Sequence, residues 1–456
     1  SSGMTHRAGS RTDDELGQSS AAKPSADACD PTERRVAAAA KPSADACEPA
    51  QRRVAVAITG YGIVSCFGRG KAAALDAVRN ARSGVRTITS IDSSSLACRI
   101  AGEVPQDAHE GLHRGYDRFT RFALIAADEA MEQSRFTPND ATRFGSIIGT
   151  GLGGCETQDA SYRRLYKDDQ SRLPPTAIAH SMYNAAASAV ATKHQARGAS
   201  YAVVSACASS AHAIGQAFQA IRSGSLDAAL AGGADAPLTY SIIRAWESMR
   251  VLAIDNDHPD AACRPFSNDR KGLVLAEGAA VFLLESFDSA IARGAEILGE
   301  IVGFGITSDA GHVTDPSADG ASRAMKMALD DGGLSIDDVD YINAHGTGTR
   351  ANDSTETAAI KSVFGERAHA IPISSTKSLH GHAMGASGAI EIAVSLAALA
   401  EGLIPPTINL TDPDPACDLD YVPNVARGVQ VRTFLSNSFG FGGMNGVVAV
   451  RVGRGN

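Results

Sequence analysis

Short apolar runs alternate with longer amphipathic stretches from residue 54 to the end of the chain. Runs rich in β-branched residues and bounded by glycines are typical of buried strands, whereas longer stretches with helical spacing of apolar positions indicate helices. Strands are predicted at 54–64, 145–149, 201–205, 228–230, 279–284, 341–344 and 447–452. Helices are predicted at 121–134, 210–223, 321–331, 354–364 and 386–401. The alternation predicts an α/β protein with largely buried sheets.

The first 52 residues differ from the rest of the chain. The sequence Ala-Lys-Pro-Ser-Ala-Asp-Ala-Cys begins at Ala22 and again at Ala40, 18 residues later, and Arg-Arg-Val closes each copy. Two copies are too few for a solenoid. The segment has almost no large apolar side chains, so residues 1–52 are predicted to be a disordered or loosely attached extension with a tandem repeat.

Composition and charge narrow the class of protein. The chain has 456 residues, of which 44% are hydrophobic and 20% charged, and a net charge of −9. This charge speaks against binding to nucleic acid or to an anionic membrane, and no apolar run approaches the roughly 20 residues of a membrane span. The eight cysteines stand singly, which predicts neither a disulfide scaffold nor a metal site. Together with an N-terminus unlike a signal peptide, these features predict a cytoplasmic location.

The cysteine at position 207 follows Tyr-Ala-Val-Val-Ser-Ala, where a predicted strand turns into a helix of small and apolar residues. Such a helix is normally buried, and its N-terminus presents free N–H groups and a partial positive charge. That environment lowers the pKa of a thiol and favours the nucleophilic thiolate. Cys207 is therefore the candidate nucleophile, although a cysteine in an alanine-rich helix is more often a packing residue.

Three further turns carry residues suited to catalysis. Asn-Ala-His-Gly-Thr-Gly-Thr places His345 in a loop after a buried strand, and Ser-Thr-Lys-Ser-Leu-His-Gly-His places Lys377, His380 and His382 before a second small-residue helix. A glycine-rich segment, Phe-Gly-Phe-Gly-Gly-Met-Asn-Gly, covers residues 439–446. One histidine in such a turn is usually a solvated cap, but the four turns together indicate a catalytic site.

These four motifs, in this order, resemble those of the β-ketoacyl-acyl-carrier-protein synthases, the ketosynthases that elongate fatty acyl and polyketide chains. The likeness is greatest to the type II synthase II branch and covers about residues 54–453. It implies a thiolase-like αβαβα five-layer α/β fold with two similar halves, 54–300 carrying the nucleophilic cysteine and 301–456 carrying the catalytic histidines and lysine. It also implies a homodimer, no cofactor and an acyl carrier protein as partner.

The resemblance also implies roles for the candidate residues. Cys207 would take an acyl group from the carrier protein, and His345 and His382 would hold the malonyl thioester and stabilise the enolate that forms as CO2 leaves. Lys377 would tune the local field and hydrogen bonding. The backbone N–H groups of Cys207 and Phe441 would form the oxyanion hole, with Phe441 also acting as a gatekeeper aromatic.

Other positions match residues around the site in this family. Glu356 matches a carboxylate that pairs with the lysine, and an exposed helix charge is the alternative interpretation. Trp246, the sole tryptophan, falls near a pocket position where its indole would shorten or reshape the pocket, unless it is plain core. The matched substrate contacts are Thr347, Thr349, Leu152, Trp246 and Phe439. A possible structural cation site comprises Asn343, Glu391, Ser436 and Asn437.

Two departures from the family pattern suggest a specialised pathway. His380, interpreted as non-catalytic, replaces the usual threonine before Gly-His, and Met444 stands where threonine is common. Two alternative functions stay open. A chain-length-factor-like partner subunit of a ketosynthase heterodimer would be non-catalytic and lack the nucleophilic cysteine. An acyl-CoA thiolase would use a second cysteine in a Cys-x-Gly context near the C-terminus, which Cys417 does not match.

Overall fold

The computed structural model describes residues 55–453. The extension predicted over residues 1–52 lies outside the described residues. No helix of the described part is long and apolar enough to cross a membrane. All seven predicted strands and all five predicted helices occur there, with ends that differ from the predicted ones by at most five residues.

Ten strands form the main β-structure of the described residues, five in each half. The first half supplies β1 Val56–Ser65, β2 Phe144–Gly149, β3 Ser200–Val203, β4 Ala228–Asp235 and β5 Gly278–Ser286. The second half supplies β6 Gly299–Ser308, β7 Tyr341–Asn343, β8 Ile373–Ser374, β9 Thr433–Gly440 and β10 Met444–Val452. The remaining strands have two residues each: Gly68–Arg69, Arg86–Thr87, Ile100–Ala101, Leu403–Ile404 and Arg427–Gly428.

The two halves share one strand order and one pattern of strand directions. The order is β3-β2-β4-β5-β1 in the first half and β8-β7-β9-β10-β6 in the second. In each half the first two pairings are parallel and the last two antiparallel. The edge strands β1 and β6 pair with each other, so the two sheets are continuous. The two similar halves are therefore confirmed, whereas the boundary between residues 300 and 301 stays a prediction.

Twelve α-helices accompany the strands in the described residues. They are α1 Lys71–Arg79, α2 Arg118–Ser134, α3 Cys155–Tyr166, α4 Ala177–Ser181, α5 Ala185–His194, α6 Ser209–Arg222, α7 Tyr240–Met249, α8 Phe287–Ala292, α9 Ala318–Gly332, α10 Arg350–Phe364, α11 Lys377–His380 and α12 Ser387–Ala400. Several begin at side-chain caps, in which a hydroxyl or carboxylate accepts a free N–H of the first turn. Such caps are Asp117 for α2, Thr239 for α7, Ser317 for α9 and Thr349 for α10.

Helices and sheets stack as five layers. Helices α2 and α5 cover the outer face of the first sheet, and α9 and α10 lie on the opposite side of the molecule, with α9 against β6 and β10. Between the sheets lie α6 and α12, and α6 contacts strands of both halves. All residues of α12 except Ala400 are buried, as expected for a helix that is apolar around its circumference. The predicted αβαβα arrangement is therefore confirmed.

The glycine-rich strand β6 is one of two long strands that the sequence pattern did not predict. A Cβ atom on Gly303 would lie 2.2 Å from the carbonyl oxygen of Ala328, and one on Gly305 would lie 1.9 Å from that of Ala324. Both carbonyls belong to α9. The glycines therefore let the helix backbone rest directly on the strand, and they remove the β-branched signature by which a strand is recognised.

Candidate active site

The turn between β3 and α6 holds Cys207 at the start of a buried helix. Ala206 has a φ of +52°, in the left-handed region that non-glycine residues rarely adopt. The hydroxyl of Ser209 accepts a hydrogen bond from the backbone N–H of Ser205 at 2.9 Å, and the hydroxyl of Ser205 lies 2.7 Å from His212 Nδ1. These contacts fix the turn, and Cys207 is only 6% exposed.

The fold brings the predicted nucleophile and both predicted histidines together. His382 Nε2 lies 3.1 Å from Cys207 Sγ, and the sulfur and one nitrogen of each imidazole lie within 4.8 Å of one another. The two imidazole rings are nearly perpendicular, at 87°, with centroids 5.4 Å apart. The other nitrogen of His382, Nδ1, lies 2.8 Å from the hydroxyl of Ser387, which orients the ring toward the sulfur.

Burial is the largest influence on the ionisation of the nucleophile. Burial raises the pKa of Cys207 to about 11, against the opposing effects of the Lys377 ammonium and the backbone N–H of Phe441. Burial of the sulfur therefore opposes the thiolate that the sequence predicts, and the thiol is the favoured form in the free protein. Burial and Lys377 also hold the pKa of His382 well below its ordinary value, so its imidazole is neutral and can accept the thiol proton.

Alkylation of Cys207 should therefore accelerate steeply with pH. Iodoacetamide reacts with the thiolate, and a thiol with a pKa of about 11 gains roughly tenfold in thiolate for each pH unit below that value. We expect roughly a hundredfold faster labelling at pH 9 than at pH 7, measured by mass spectrometry of the peptide that contains Cys207. A rate that levels off below pH 8 would indicate that the thiolate is already present in the free protein. It would contradict the dominant effect of burial on the pKa of Cys207.

Lys377 contacts both the backbone oxygen and the ring of His345, and it fixes the tautomer of that ring. The ammonium donates to the backbone oxygen of His345 at 2.6 Å and lies 3.3 Å from its Nδ1. An ammonium has no lone pair, so Nδ1 is the acceptor and the ring proton lies on Nε2. Burial and Lys377 lower the pKa of His345 well below its ordinary value, which keeps the ring neutral. His345 therefore offers an N–H donor through Nε2.

Glu391, and not Glu356, is the ion-pair partner of Lys377. Lys377 Nζ and Glu391 Oε1 are in direct contact, and both side chains are fully buried. Burial raises the pKa of Glu391 to about 7, and the ammonium opposes that rise. The pairing predicted for Glu356 is thus wrong, and a residue predicted for the cation site forms the pair instead.

Glu356 supports the loop that carries His345. Its carboxylate accepts the backbone N–H groups of His345 and Gly346, each at 2.8 Å, and the side-chain amide of Asn437 at 3.1 Å. The side chain is 1% exposed, so the alternative interpretation as an exposed helix charge is also wrong. Glu356 therefore holds the backbone of the loop and does not touch the lysine.

Comparison with known proteins agrees with this geometry. Residues 53–290 match the model of the β-ketoacyl synthase N-terminal domain, and residues 298–411 match that of its C-terminal domain. The chain belongs to the β-ketoacyl synthase family. Nodulation protein E of Rhizobium sp. (strain N33) is 44% identical over 402 residues, which cover 87% of this chain and 98% of that protein.

Two further relatives extend the comparison. The 3-oxoacyl-[acyl-carrier-protein] synthase 2 of Synechocystis sp. (strain ATCC 27184 / PCC 6803 / Kazusa) is 42% identical over 405 residues, which cover 87% of this synthase and 97% of the relative. A solved structure of AntDE:AntF, a type II polyketide synthase acyl-carrier protein in complex with its ketosynthase bound to the hexaketide, has a TM-score of 0.82 and 34% identity. It covers 88% of this synthase and 100% of that chain. The predicted resemblance and fold are confirmed.

A narrow cavity of about 70 Å³ opens at the reactive sulfur of this synthase. Thr347 and Thr349 lie on its wall with their hydroxyls 2.9 Å apart. Cys207, Trp246, His345, His382, Phe439 and Phe441 also line it. Leu152 is absent from this lining and packs against the same apolar cluster as Trp246. Of the predicted catalytic and substrate-binding residues, Leu152, Lys377 and Glu356 are absent from the cavity wall and the others lie on it.

The four residues of the predicted cation site share a property that fits a bound cation. Each has one buried oxygen without a hydrogen-bond partner among the described residues: Asn343 Oδ1, Glu391 Oε2, Ser436 Oγ and Asn437 Oδ1. Hard cations take oxygen ligands of these kinds. The sulfur and two imidazoles of the active site offer zinc-type donors, but the ammonium of Lys377 beside them opposes a metal ion.

Asp235, at the end of β4, is a site residue of the synthase that the sequence reasoning missed. Its fully buried carboxylate accepts the Thr150 hydroxyl at 2.7 Å and the backbone N–H groups of Gly151 at 2.7 Å, Leu152 at 3.1 Å and Gly385 at 2.6 Å. It thereby ties the turn after β2 to the turn that follows His382. The available signal was a carboxylate directly after a small-residue strand, Ala-Gly-Gly-Ala-Asp.

Proposed function

We propose that this protein is an elongating β-ketoacyl-[acyl-carrier-protein] synthase, which joins an acyl group held on Cys207 to a unit derived from malonyl carrier protein. The observation that carries the proposal is the 3.1 Å contact between Cys207 Sγ and a neutral His382, with a second neutral imidazole beside them. A relative solved in complex with its acyl-carrier protein supports the choice of partner. The cavity wall has an apolar side that suits an acyl chain and a polar side that suits a pantetheine arm.

Acyl transfer uses the protonated thiol of the free protein. His382 Nε2 accepts the proton of Cys207 as the sulfur attacks the acyl thioester carbonyl of the carrier protein. The backbone N–H groups of Cys207 and Phe441 stabilise the oxyanion that develops. The C–S bond to the pantetheine then breaks, and His382 returns the proton to the departing sulfur. The acyl group is left on Cys207.

Condensation uses the N–H groups of the two histidines. After acyl transfer, exchange of protons with solvent gives the His382 tautomer with its proton on Nε2, and its Nδ1 then accepts the hydroxyl of Ser387. The malonyl thioester carbonyl accepts the Nε2 proton of His345 and that of His382. Loss of CO2 leaves an enolate on that oxygen, and its carbon attacks the acyl thioester on Cys207. The new carbon–carbon bond forms as the C–S bond to Cys207 breaks, and the thiolate regains a proton from solvent. The product is a β-ketoacyl carrier protein two carbons longer.

Supporting groups complete the proposed site. Thr347 and Thr349 would bind the pantetheine arm. A structural cation would be held by the buried oxygens without hydrogen-bond partners on Asn343, Glu391, Ser436 and Asn437, and it would supply a fixed positive charge there. No step of the proposed reaction depends on this cation. His380 is buried between the hydroxyl of Thr376 and the backbone oxygen of Gly381, which supports its non-catalytic interpretation. We also retain a cytoplasmic location and a specialised pathway as proposals.

The alternatives receive less support. Cys207 is the only cysteine among the described residues on the cavity wall, whereas Cys417 lies in an apolar cluster, so the second cysteine of a thiolase is not in place. Cys207, His345, His382 and Lys377 together argue against a non-catalytic partner subunit. Incubation with malonyl carrier protein and a panel of acyl carrier proteins tests the proposal, with products read by mass. The proposal would be overturned if none of the acyl chains were extended.

A homodimer through the edge strand β3 forms part of the proposal. One edge of β3 pairs with β2, and the other is the end of the sheet within residues 55–453. Tyr201 on β3 is 40% exposed, and the adjacent Val204 is 53% exposed. Unpaired edges with apolar side chains favour pairing with another chain.

Val204→Lys should therefore weaken the dimer about a hundredfold, since a buried unpaired charge costs roughly 3 kcal/mol. Analytical ultracentrifugation over a range of concentrations measures this change. Val425→Lys is the matched control, because Val425 is 70% exposed on a loop away from the strand. A dimer as stable in Val204→Lys as in the control would exclude this edge as the interface.

A further inference from the structure

The two histidines of the active site have different partners at Nδ1. Nδ1 of His345 faces the ammonium of Lys377, which can only donate, so the ring proton is confined to Nε2. Nδ1 of His382 lies 2.8 Å from the hydroxyl of Ser387. A hydroxyl both donates and accepts hydrogen bonds, so it can pair with Nδ1 whether or not that nitrogen carries the ring proton. The structure therefore fixes the tautomer of one ring and leaves the other ring able to adopt either.

The O–H bond of Ser387 is free to turn, whereas the atoms around it are held. Ser387 is the first residue of α12, it is buried, and its hydroxyl has no other hydrogen-bond partner among the described residues. The start of this helix is held where Ala389 donates its N–H to the hydroxyl of Ser210 at 2.9 Å. The backbone N–H of His382 donates to the backbone oxygen of Val274 at 2.7 Å. The fold thus sets the distance between Oγ and Nδ1 but not the direction of the O–H bond.

The two half-reactions of the proposed function require opposite tautomers of His382. Acyl transfer needs a lone pair on Nε2, 3.1 Å from Cys207 Sγ, so the ring proton lies on Nδ1 and the hydroxyl oxygen of Ser387 accepts it. Condensation needs an N–H donor at Nε2, so Nδ1 then carries a lone pair, to which the same hydroxyl donates. Burial and Lys377 keep the pKa of the ring low and the ring neutral, so both tautomers carry one ring proton and the charge of the site is unchanged.

We propose that Ser387 is a positioning residue that lets His382 act as a proton acceptor in acyl transfer and as a hydrogen-bond donor in condensation, because its hydroxyl pairs with Nδ1 in both tautomers. A partner with one fixed role would stabilise only one tautomer. A backbone oxygen would keep the proton on Nδ1, and a backbone N–H or an ammonium would keep it on Nε2. Ser387 is absent from the cavity wall and acts through His382. This inference rests on the proposed function for the order of the two steps.

Nitrogen NMR of the full chain with isotope-labelled histidine tests the exchange of tautomers without any substrate, because the chemical shift of a ring nitrogen shows whether it carries a proton. In the wild-type protein the thiol of Cys207 donates to Nε2 of His382, which places the ring proton on Nδ1. Cys207→Ala lacks that donor and should raise the ratio of the Nε2–H form to the Nδ1–H form about 2- to 10-fold, which corresponds to the loss of one hydrogen bond. His345 is the internal reference, because Lys377 holds its proton on Nε2 in both proteins. An unchanged tautomer of His382 would contradict the proposal.

The rates of the two half-reactions test both directions of the hydrogen bond. Acyl transfer is measured as the mass that the protein gains from an acyl carrier protein, and decarboxylation as the CO2 released from malonyl carrier protein in the Cys207→Ala background. Ser387→Ala leaves Nδ1 without a partner and should slow both steps about 5- to 150-fold, the range for one buried polar group left unpaired. Threonine and valine have the same shape, so Ser387→Thr should exceed Ser387→Val by a similar factor in both steps, even if the added methyl group disturbs the packing.

The outcomes separate this inference from the proposed function. Slow acyl transfer with normal decarboxylation, or the reverse, would mean that the hydroxyl acts in one direction only, and the inference would be wrong. It would also be wrong if Ser387→Ala slowed neither step. A wild-type protein that neither accepts an acyl group nor decarboxylates malonyl carrier protein would instead refute the proposed function, and the NMR measurement of the His382 tautomer would remain valid.

Discussion

Replacement of Cys207 by alanine should abolish condensation while leaving the decarboxylation of malonyl carrier protein in place. Removal of a catalytic nucleophile lowers turnover by about 10⁴-fold or more. Decarboxylation needs only the N–H groups of His345 and His382. Lys377 holds the tautomer of His345, and the hydroxyl of Ser387 can donate to His382 Nδ1 when the ring proton lies on Nε2, so neither donor needs the sulfur. Product mass measures condensation, and release of labelled CO2 measures decarboxylation.

Cys417→Ala is the matched control for this experiment. Cys417 is buried like Cys207, with an exposed fraction of 1%. It lies in the apolar cluster of the second half and not on the cavity wall. Its loss should leave condensation within about threefold of the wild-type rate, because no proposed step uses it. Condensation that survives in Cys207→Ala and fails in Cys417→Ala would contradict the assignment of the nucleophile and favour the thiolase alternative.

The parts of the site that local sequence predicts are those carried by single turns. Cys207, His345 and His382 each follow a buried strand or begin a small-residue helix, so their motifs are visible without knowledge of the fold. Their convergence at one cavity required the resemblance, because nothing in the spacing of positions 207, 345 and 382 shows that two pseudo-equivalent sheets face each other across α6 and α12.

Strand β9 shows why part of the fold was missed. Residues 436–438 are Ser-Asn-Ser in the middle of a buried strand, where the pattern for strands expects apolar side chains. Their oxygens Ser436 Oγ, Asn437 Oδ1 and Ser438 Oγ are buried without hydrogen-bond partners among the described residues. The polar run thus departs from the apolar pattern by which a buried strand is predicted.

The partner of Lys377 could not be predicted for a related reason. Glu356 and Glu391 both lie on helices that follow catalytic turns, and sequence separation does not show which carboxylate reaches the ammonium. Glu391 lies on α12, whose residues are otherwise small or apolar, so a charge there is expected only with a buried partner. That property of the helix was the available signal, and it points to Glu391.

Glu391→Gln should destabilise the fold by about 3–5 kcal/mol and reduce condensation strongly, since it leaves the ammonium of Lys377 buried without a counter-charge. The amide keeps the shape of the carboxylate, so the loss of stability measures the effect of removing the charge and not of changing the side-chain volume. Without the carboxylate, the Lys377 ammonium is no longer held beside His345 Nδ1, and the Nε2–H donor for the enolate is lost. Urea denaturation measures the first effect and steady-state kinetics the second.

The double variant Lys377→Met/Glu391→Leu separates stability from chemistry. Replacement of a buried ion pair by apolar side chains of similar size is often neutral or stabilising, so this variant should recover most of the stability that Glu391→Gln loses. It should remain as inactive as the single variant, because His345 Nδ1 still lacks its donor. Recovery of condensation together with stability would mean that the pair serves only the fold, and the tautomer argument for His345 would be wrong. Stability that stays low in the double variant would instead assign Glu391 to the cation site, whose remaining oxygens would then lack their charged ligand.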